Sequence, residues 1–369
     1  MSGVFFRNVL LKGLALFLVL NLAIVAVPAD ALGKVSLYNK LFPGRTRFPF
    51  GENPSQSYNL SIFNLEAMFA SHLLADGSKP IGEYRVFVIG DSSTWGTLLK
   101  PEETLAGQLD AAGMNICGKW LRVYNLGYPT ISLTKDLMVL DYAINYLPDL
   151  IIWPVTLEAF PLDKQLTSPI VANNAGMMDL LITRYKLPFE MTDSALVRPT
   201  FWNRSLIGQR RALADLFRLQ MYGILWSATG IDQTYTMDYE RAQTDFGTDA
   251  TFHGIKPPML DESQLAFGVL EAGFQAAGKT PVLLVNEPML ISGGNNSNIR
   301  YNFFYPRWAY DQWRQMMNNK TTEKGWKYID LWDFIPSDQF TNSLIHLTPA
   351  GETLLAGRIA QTINQQTCP

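Results

Sequence analysis

The residues with the clearest chemical potential form a short polar turn after an apolar run. Residues 86–89 read Val-Phe-Val-Ile, which predicts a strand, and Gly90-Asp91-Ser92-Ser93-Thr94 follow directly. A serine where a parallel strand ends presents its hydroxyl at the edge of the sheet, and the N–H groups of the following turn point toward an oxyanion formed on a bound ester. This placement suits acyl transfer with Ser92 as the nucleophile. Gly-Asp-Ser alone is equally compatible with an ordinary turn.

A histidine near the other end of the chain supplies the base that such a serine needs. A serine hydroxyl is a poor nucleophile until a neighbouring base takes its proton. His346 lies just before Pro349, which is typical of the first residue of a helix. Of the other two histidines, His72 is interpreted as a structural, partly buried residue, and His253 has no acid or serine beside it in the sequence. His346 is therefore the candidate base.

Alternating strands and helices must bring these two residues together. Short apolar runs predict strands over 84–89, 121–125, 150–153, 281–285 and 328–331, and helical periodicity predicts helices from Pro101 and over 132–147, 263–277 and 349–364. Nearly all-apolar strands that alternate with helices indicate a parallel sheet covered by helices on both faces. In such a sheet the functional site lies at the carboxyl ends of the strands.

The N-terminal region is predicted to be a membrane anchor or a signal peptide. Residues 13–27 are almost entirely apolar, and Arg7 and Lys12 precede them. With the apolar residues before Lys12 the run is long enough to span a bilayer, whereas Ala29-Asp30-Ala31 is typical of a signal-peptidase site. Basic residues on the N-terminal side place the remainder outside the cytoplasm. The sequence therefore predicts that residues 1–33 anchor the protein in a membrane or, if these residues are cleaved off, that the protein is secreted.

The remainder of the chain divides into a connecting segment and one domain. Residues 34–83 are rich in Pro, Gly and Asn and are expected to form a stalk and docking segment. Residues 84–369 form the predicted α/β domain, interrupted by an insertion of different character at about 160–258. The insertion contains a helical stretch, Arg204 to Trp226, interpreted as a helix packed on the domain or as a lid or membrane-surface helix, since basic and aromatic residues suit a headgroup layer.

Composition excludes several classes of protein. Of the 369 residues, 47% are hydrophobic and only 17% are charged, which excludes disorder as the main state. The net charge of −3 and the absence of a basic run argue against nucleic acid as a partner. No P-loop, EF-hand or HExxH pattern occurs, so neither a cofactor nor a metal is predicted. Cys117 and Cys368 lack zinc-site spacing and are expected to pair only if the domain is exported.

Four sequence blocks resemble those of the SGNH (GDSL) hydrolase family. They are the strand followed by Gly-Asp-Ser, the glycine of Tyr124-Asn125-Leu126-Gly127, the strand at 148–152, and His346-Leu-Thr-Pro-Ala-Gly. The similarity covers about residues 84–365 apart from the insertion. It implies a three-layer, flavodoxin-like parallel sheet, Ser92 as nucleophile and His346 as base. It also implies that the backbone N–H groups of Ser92 and Gly127 line the oxyanion hole.

The third block departs from the pattern of the family. Where the family usually has G-x-N, with an asparagine that donates to the oxyanion, this chain has Thr156-Leu157-Glu158. An ionised carboxylate has no proton to donate. Asn286 follows the strand at 281–285 and is a candidate replacement donor, with a structural loop cap as the alternative.

The last block departs as well. The family commonly has Asp three residues before the histidine, and here that position is Ser343, with Asn342 beside it. An amide orients an imidazole but stabilises the imidazolium less than a carboxylate does. The sequence therefore predicts a Ser92–His346 dyad assisted by Asn342 or Ser343, unless Asp333 or Asp338 supplies the acid.

These features predict an extracytoplasmic ester hydrolase that acts through an acyl-serine intermediate. The expected substrate is an O-acyl ester of a glycan, an envelope polymer or a lipid. One alternative is an accessory factor for O-acylation of envelope polysaccharide that works beside a membrane acyltransferase. The other is a non-catalytic binding module that has kept the fold.

Overall fold

The strands of the central sheet are short and largely buried. The computed structural model describes residues 3–27, 32–50, 63–233 and 238–365. The strands are β1 Glu83–Val88, β2 Asn115–Ile116, β3 Lys119–Asn125, β4 Leu150–Val155, β5 Val282–Asn286 and β6 Lys327–Asp330. Every residue of β1, β4 and β5 is buried, which is the pattern of strands covered on both faces.

Strand order confirms the fold class predicted from the sequence. The order across the sheet is β2-β3-β1-β4-β5-β6, and only β2 runs antiparallel to its neighbour. Counted along the chain, the parallel strands therefore lie in the order 2-1-3-4-5, which is the flavodoxin-like doubly wound arrangement. β1, which precedes Ser92, pairs with β3 on one side and β4 on the other.

Helices cover both faces of this sheet. The α-helices are α1 Gly3–Val25, α2 Leu37–Leu41, α3 Leu65–Ser71, α4 Ser92–Trp95, α5 Leu105–Ala111, α6 Leu133–Ala143, α7 Pro169–Asn173, α8 Ala175–Tyr185, α9 Phe201–Arg204, α10 Arg210–Thr229, α11 Phe267–Ala277, α12 Arg307–Lys324 and α13 Pro349–Asn364. Along β1, Phe87 joins a core that includes Leu137 of α6 and Trp313 of α12. Its neighbour Val86 joins a second core that includes Ile359 of α13. The alternation gives the three layers expected.

Helix boundaries follow local capping more closely than apolar periodicity. The helix expected from Pro101 is a 3-10 turn, Pro101–Glu103, and α5 begins only after Thr104, whose side chain accepts from the N–H of Gly107. The helix expected over 132–147 begins after its cap Ser132 but ends at Ala143. The final helix has the predicted bounds, Pro349–Asn364.

The segment before β1, predicted to be a stalk and docking segment, contributes side chains to the core. In its described parts, 34–50 and 63–83, Phe48, Met68 and Phe69 are fully buried in the same core as α6. Burial of three large side chains stabilises the fold by several kcal/mol. Residues 51–62, also assigned to the stalk, lie outside the described residues.

His72 ties this segment to the sheet and is structural, as the sequence suggested. Its Nε2–H donates to the carbonyl oxygens of Thr46 (3.0 Å) and Asn125 (3.2 Å), while its Nδ1 accepts from the N–H of Leu74 (3.1 Å). These partners fix one neutral tautomer. Burial lowers the pKa of His72 to about 4.

Stability should consequently fall in acid because of His72. Unfolded His72, with a pKa near 6.5, takes up a proton that the folded residue excludes, so the free energy of unfolding should fall as the pH drops from 6.5 to about 4. The loss attributable to His72 is about 3 kcal/mol. Urea unfolding across this range should show a steeper fall for the native chain than for His72→Gln, which does not titrate. Equal slopes would contradict the assignment.

The insertion is helical and partly embedded. α7 and α8 bury Val171, Met178 and Leu181 in the core beside α6. The helix predicted over 204–226 corresponds to α10, which begins only at Arg210 and continues to Thr229, while Arg204 is the last residue of the short α9. α9 and α10 are separated by a turn in which Ser205 Oγ accepts from the N–H of Gly208 at 3.2 Å.

α1 is a long apolar helix at the N-terminus. It has 23 residues, a mean hydropathy of 2.2 in its most apolar window, and no buried residue. A helix of this length extends about 35 Å, enough to cross a bilayer. By length and composition it fits a membrane span or a signal sequence. The predicted cleavage sequence, Ala29-Asp30-Ala31, lies outside the described residues.

Candidate active site

The turn that carries Ser92 is held by its neighbours in the sequence. Ser92 is the first residue of α4, at the carboxyl end of β1, and Asp91 caps that helix by accepting from the N–H of Ser93 at 2.8 Å. Gly90 is required because a Cβ there would lie 2.3 Å from Thr94 Oγ1. The local sequence therefore folds into a tight strand-to-helix turn, and the Ser92 side chain remains partly exposed.

The structure brings Ser92, His346 and Asn342 into one hydrogen-bonded array. His346 Nε2 lies 2.8 Å from Ser92 Oγ, and His346 Nδ1 lies 2.8 Å from Asn342 Oδ1. An amide oxygen only accepts, so Nδ1 carries the proton and Nε2 accepts from the serine hydroxyl. This is the tautomer that a general base needs.

The protonation state of His346 is favourable for a base. Burial lowers its pKa from 6.5 to about 4. The imidazole is therefore neutral at neutral pH and is ready to take the proton of Ser92. The same burial disfavours the imidazolium that forms when it does so.

Of the other candidates for orienting His346, the structure favours none. Among the described residues no hydrogen bond links Ser343 to the imidazole, whose Nδ1 is already bonded to Asn342. Asp333 and Asp338 are exposed. Arg241 donates a hydrogen bond to the backbone carbonyl oxygen of Asp338 and not to its side chain. The acid expected as an alternative from upstream is therefore not at the site. The third member of the array is the neutral Asn342.

Of the two backbone N–H groups expected to line the oxyanion hole, one is already hydrogen-bonded within the protein and the other is free within the described part of the chain. The backbone of Gly127 packs against α4, where a Cβ would lie 2.4 Å from the nitrogen of Trp95, but its N–H donates to Asn125 Oδ1 at 3.0 Å. The N–H of Ser92 makes no hydrogen bond to any described residue and remains available. Ser92 is thus the donor best placed in this structure.

Asn286 is not an oxyanion donor. Its amide donates to Asp330 Oδ1 at 2.8 Å, and its oxygen accepts from the hydroxyl of Tyr310 at 3.0 Å. Both polar groups of this fully buried side chain therefore join β5 to β6 and α12. The candidate from the sequence is wrong, because a structural network uses the amide.

Glu158, in the departing third block, is held as a carboxylate. Despite burial, which by itself raises its pKa, hydrogen bonds from His253 and Lys164 together hold the pKa below its usual value. The His253 ring lies between Glu158 (3.1 Å) and Asp163 (3.3 Å), so tertiary structure supplies the acidic neighbours that the sequence did not show. Glu158 therefore has no proton to offer an oxyanion.

Buried charged residues beneath the turn were not recognised in the sequence. Lys135 of α6 donates to the carbonyl oxygen of Gly90 at 2.6 Å and pairs with Asp136. Ser93 Oγ donates to Glu287 Oε2 at 2.6 Å, and burial, followed by the charge of Asp91, raises the pKa of Glu287 well above its usual value. The only signals were a Lys-Asp pair within an apolar helix and an acid at the end of β5.

A buried arginine fixes the other end of α4. Arg47 Nη1 donates to the carbonyl oxygens of Trp95 (3.2 Å) and Gly96 (2.9 Å). The indole N–H of Trp95 donates to the carbonyl oxygen of Phe48 at 2.7 Å. Arg47 also binds Gln233, beyond α10, through its Nε (3.0 Å) and Nη2 (2.8 Å). Residues from the N-terminal segment thus complete the nucleophile turn.

Fold and site together define a doubly wound α/β protein with a Ser–His–Asn array at the carboxyl edge of its parallel sheet. Within the described ranges no cluster of three or more His, Cys, Asp or Glu side chains is arranged to hold a metal ion. Neither a family model nor a curated protein matches the sequence.

Solved structures similar to this chain include esterases of the SGNH (GDSL) type. A carbohydrate acetylesterase family member from Sinorhizobium meliloti has 12% identity and a TM-score of 0.35, over 76% of this chain and 99% of that one. The native aryl esterase of M. smegmatis has 14% identity and a TM-score of 0.34, over 76% and 98%. A G-D-S-L family protein from Desulfitobacterium hafniense DCB-2 has 12% identity and a TM-score of 0.31, over 75% and 98%.

Proposed function

We propose that this chain is a serine esterase that cleaves or transfers an O-acyl group through an acyl-serine intermediate. The observation that carries the proposal is the array of Ser92, His346 and Asn342, joined by two hydrogen bonds of 2.8 Å. A nucleophile bonded to a base that is itself oriented by a third group is the arrangement that activates a serine hydroxyl.

The proton moves along this array. Ser92 Oγ attacks the ester carbonyl carbon while its proton passes to His346 Nε2, and Asn342 Oδ1 accepts from Nδ1–H throughout. The oxyanion that forms accepts from the N–H of Ser92. When the intermediate collapses, Nε2–H gives its proton to the departing alkoxide, which leaves as the alcohol. Water or a second hydroxyl then attacks the acyl-serine and gives its proton to His346 Nε2. When this second intermediate collapses, the bond to Ser92 Oγ breaks, Ser92 recovers the proton from Nε2, and the acid or the new ester is released.

The geometry implies slow turnover. The imidazolium forms beside a neutral amide, in a setting where burial already lowers the pKa of His346 to about 4. The oxyanion also has fewer free donors than the sequence predicted, because Gly127 is bonded to Asn125 and Asn286 is bonded to Asp330. Each missing donor of this kind costs about 10²-fold or more in turnover.

The proposed setting is outside the cytoplasm, with α1 as a membrane anchor. Arg7 and Lys12 lie toward the N-terminal end of α1, which favours a cytoplasmic position for that end. Cys117 is disulfide-bonded, and disulfides persist in oxidising compartments. Cys368, the other cysteine, lies outside the described residues. The substrate proposed for this location is an O-acyl ester of a glycan, an envelope polymer or a lipid.

A fluorophosphonate probe tests the proposal. The purified full-length chain should be labelled once, and peptide mass mapping should place the adduct on Ser92, because the probe reacts only with an activated serine. Labelling carried out below pH 4, where most of His346 is protonated, should be slower than labelling at neutral pH. A folded protein that is not labelled at neutral pH would instead support a non-catalytic binding module. Addition of an alcohol acceptor to a turnover assay then separates transfer from hydrolysis.

A further inference from the structure

One face of α10 is apolar and exposed between Phe217 and Leu225. Phe217, Met221 and Leu225 recur every four residues and are 66%, 59% and 60% exposed. The opposite face is the one that packs on the protein, through the buried Leu219 and Gly223. An amphipathic helix in a soluble domain normally buries its apolar stripe. Here the stripe faces outward, which marks a contact surface.

This surface adjoins the candidate membrane span. The N–H of Ile207, in the turn between α9 and α10, donates to Asn21 Oδ1 of α1 at 3.3 Å. Asn21 lies four residues before the end of α1, at Val25. With a rise of 1.5 Å per residue, this places Ile207 about 6 Å inside the end of the helix. If α1 spans the bilayer, the start of α10 is at the headgroup level.

The chain that leaves α1 also holds α10. Gln220 of α10 donates to the carbonyl oxygen of Val35 at 2.9 Å and accepts from the N–H of Leu37 at 2.8 Å. Gly223 lies against the ring of Tyr38, where a Cβ would come within 2.5 Å of the ring. The turn before α10 thus contacts α1, and α10 itself contacts residues 35–38, which follow α1 in the chain. These contacts hold α10 close to the C-terminal end of α1.

Its charge and aromatic residues match an anionic lipid surface. Residues 204–226 contain four arginines and a single acid, Asp215. Trp202 of α9 is 76% exposed and lies at the end of α10 that contacts α1. Exposed tryptophan with arginines around an apolar stripe is typical of helices that lie in the headgroup layer.

We propose that α9 and α10 lie on the surface of the bilayer spanned by α1, with Trp202, Ile207, Phe217, Met221 and Leu225 in contact with lipid and the arginines in contact with anionic headgroups. We call these five residues the α10 surface. The inference is independent of the proposed esterase activity. It requires that α1 span the membrane, and the experiment below reports on that separately.

Site-directed nitroxide labels on the full chain in liposomes of phosphatidylcholine and phosphatidylglycerol test the proposal. Three single variants are compared: Leu225→Cys on the α10 surface, Leu14→Cys within α1, and Ile81→Cys, an apolar control that is fully exposed before β1. Cys117 is disulfide-bonded and so is not labelled. Accessibility to oxygen, relative to a water-soluble nickel chelate, should be severalfold higher at positions 225 and 14 than at 81.

Three other outcomes overturn the proposal, and a fourth overturns the part of it that concerns anionic headgroups. A label at 225 that is as accessible to the nickel chelate as the label at 81 would show that the α10 surface faces water. Low accessibility to both reagents, with spin–spin broadening, would show that a second copy of the chain covers it. A water-accessible label at 14 would show that α1 does not span. The label at 225 could also reach the same depth in pure phosphatidylcholine as in the mixed liposomes, and the same depth in the Arg210→Gln/Arg211→Gln variant as in the native background. That result would show that anionic lipid has no role.

Discussion

Ser92→Ala should lower ester turnover by about 10³-fold or more, because it removes the only hydroxyl bonded to His346 Nε2 among the described residues. Hydrolysis of a small ester such as p-nitrophenyl acetate by the purified chain provides the measurement. The variant should fold normally, since the Ser92 side chain is partly exposed and its loss opens no cavity.

Ser93→Ala is the matched control in the same turn. Ser93 donates to Glu287 and does not contact His346, so this variant should keep turnover within about 10-fold of the native chain. Full activity in Ser92→Ala together with its disappearance in Ser93→Ala would show that the neighbouring serine is the nucleophile.

Asn342→Asp should raise turnover at neutral pH and move the acidic limb of the pH profile upward. A carboxylate at this position pairs with the imidazolium, so the pKa of His346 should rise from about 4. The base is active only when neutral, and activity should therefore fall at a higher pH in the variant than in the native chain. In serine proteases the triad acid contributes about 10⁴-fold. Asn342 is exposed and solvent screens its charge, so about 10-fold is expected here.

Ser343→Asp carries the same added charge and restores the spacing common in the SGNH family. Since His346 Nδ1 is bonded to Asn342, this variant should gain less and should shift the acidic limb less. His346→Ala should abolish turnover in either background. A larger gain from Ser343→Asp than from Asn342→Asp would show that the imidazole takes its partner from position 343 when substrate is bound.

Much of the fold was predictable because its signals are local. The runs at β1, β4 and β5 are buried on both faces, so they are continuously apolar and easily recognised. Pro349 fixed the start of α13, and with it the place of His346. The start of α5 was missed because the cap of Thr104 decides it, and a cap is one side-chain hydrogen bond that leaves no periodic trace.

The site was predictable only in part. Ser92 and His346 lie in short motifs whose turn and helix signals are readable along the chain. The bonding of Asn286 to Asp330, and of Glu158 to His253, depends on contacts between residues 44 and 95 positions apart. Spacing along the chain carries no information on such pairs. The same holds for Arg47, whose role appears only once the N-terminal segment is packed on α4.

Because Arg47 holds α4, the part of the chain that can fold on its own begins well before β1. The sequence blocks that resemble the SGNH family begin at β1, and a recombinant fragment would ordinarily be started near residue 84. Such a fragment would lack the guanidinium that binds the carbonyl oxygens of Trp95 and Gly96, the Phe48 carbonyl that binds the Trp95 indole, and the ring of His72. Buried groups left without partners cost about 1–3 kcal/mol each, and their sum is comparable to the whole stability of a domain. The shortest chain that builds the nucleophile turn therefore starts before Thr46, within about twenty residues of the end of α1.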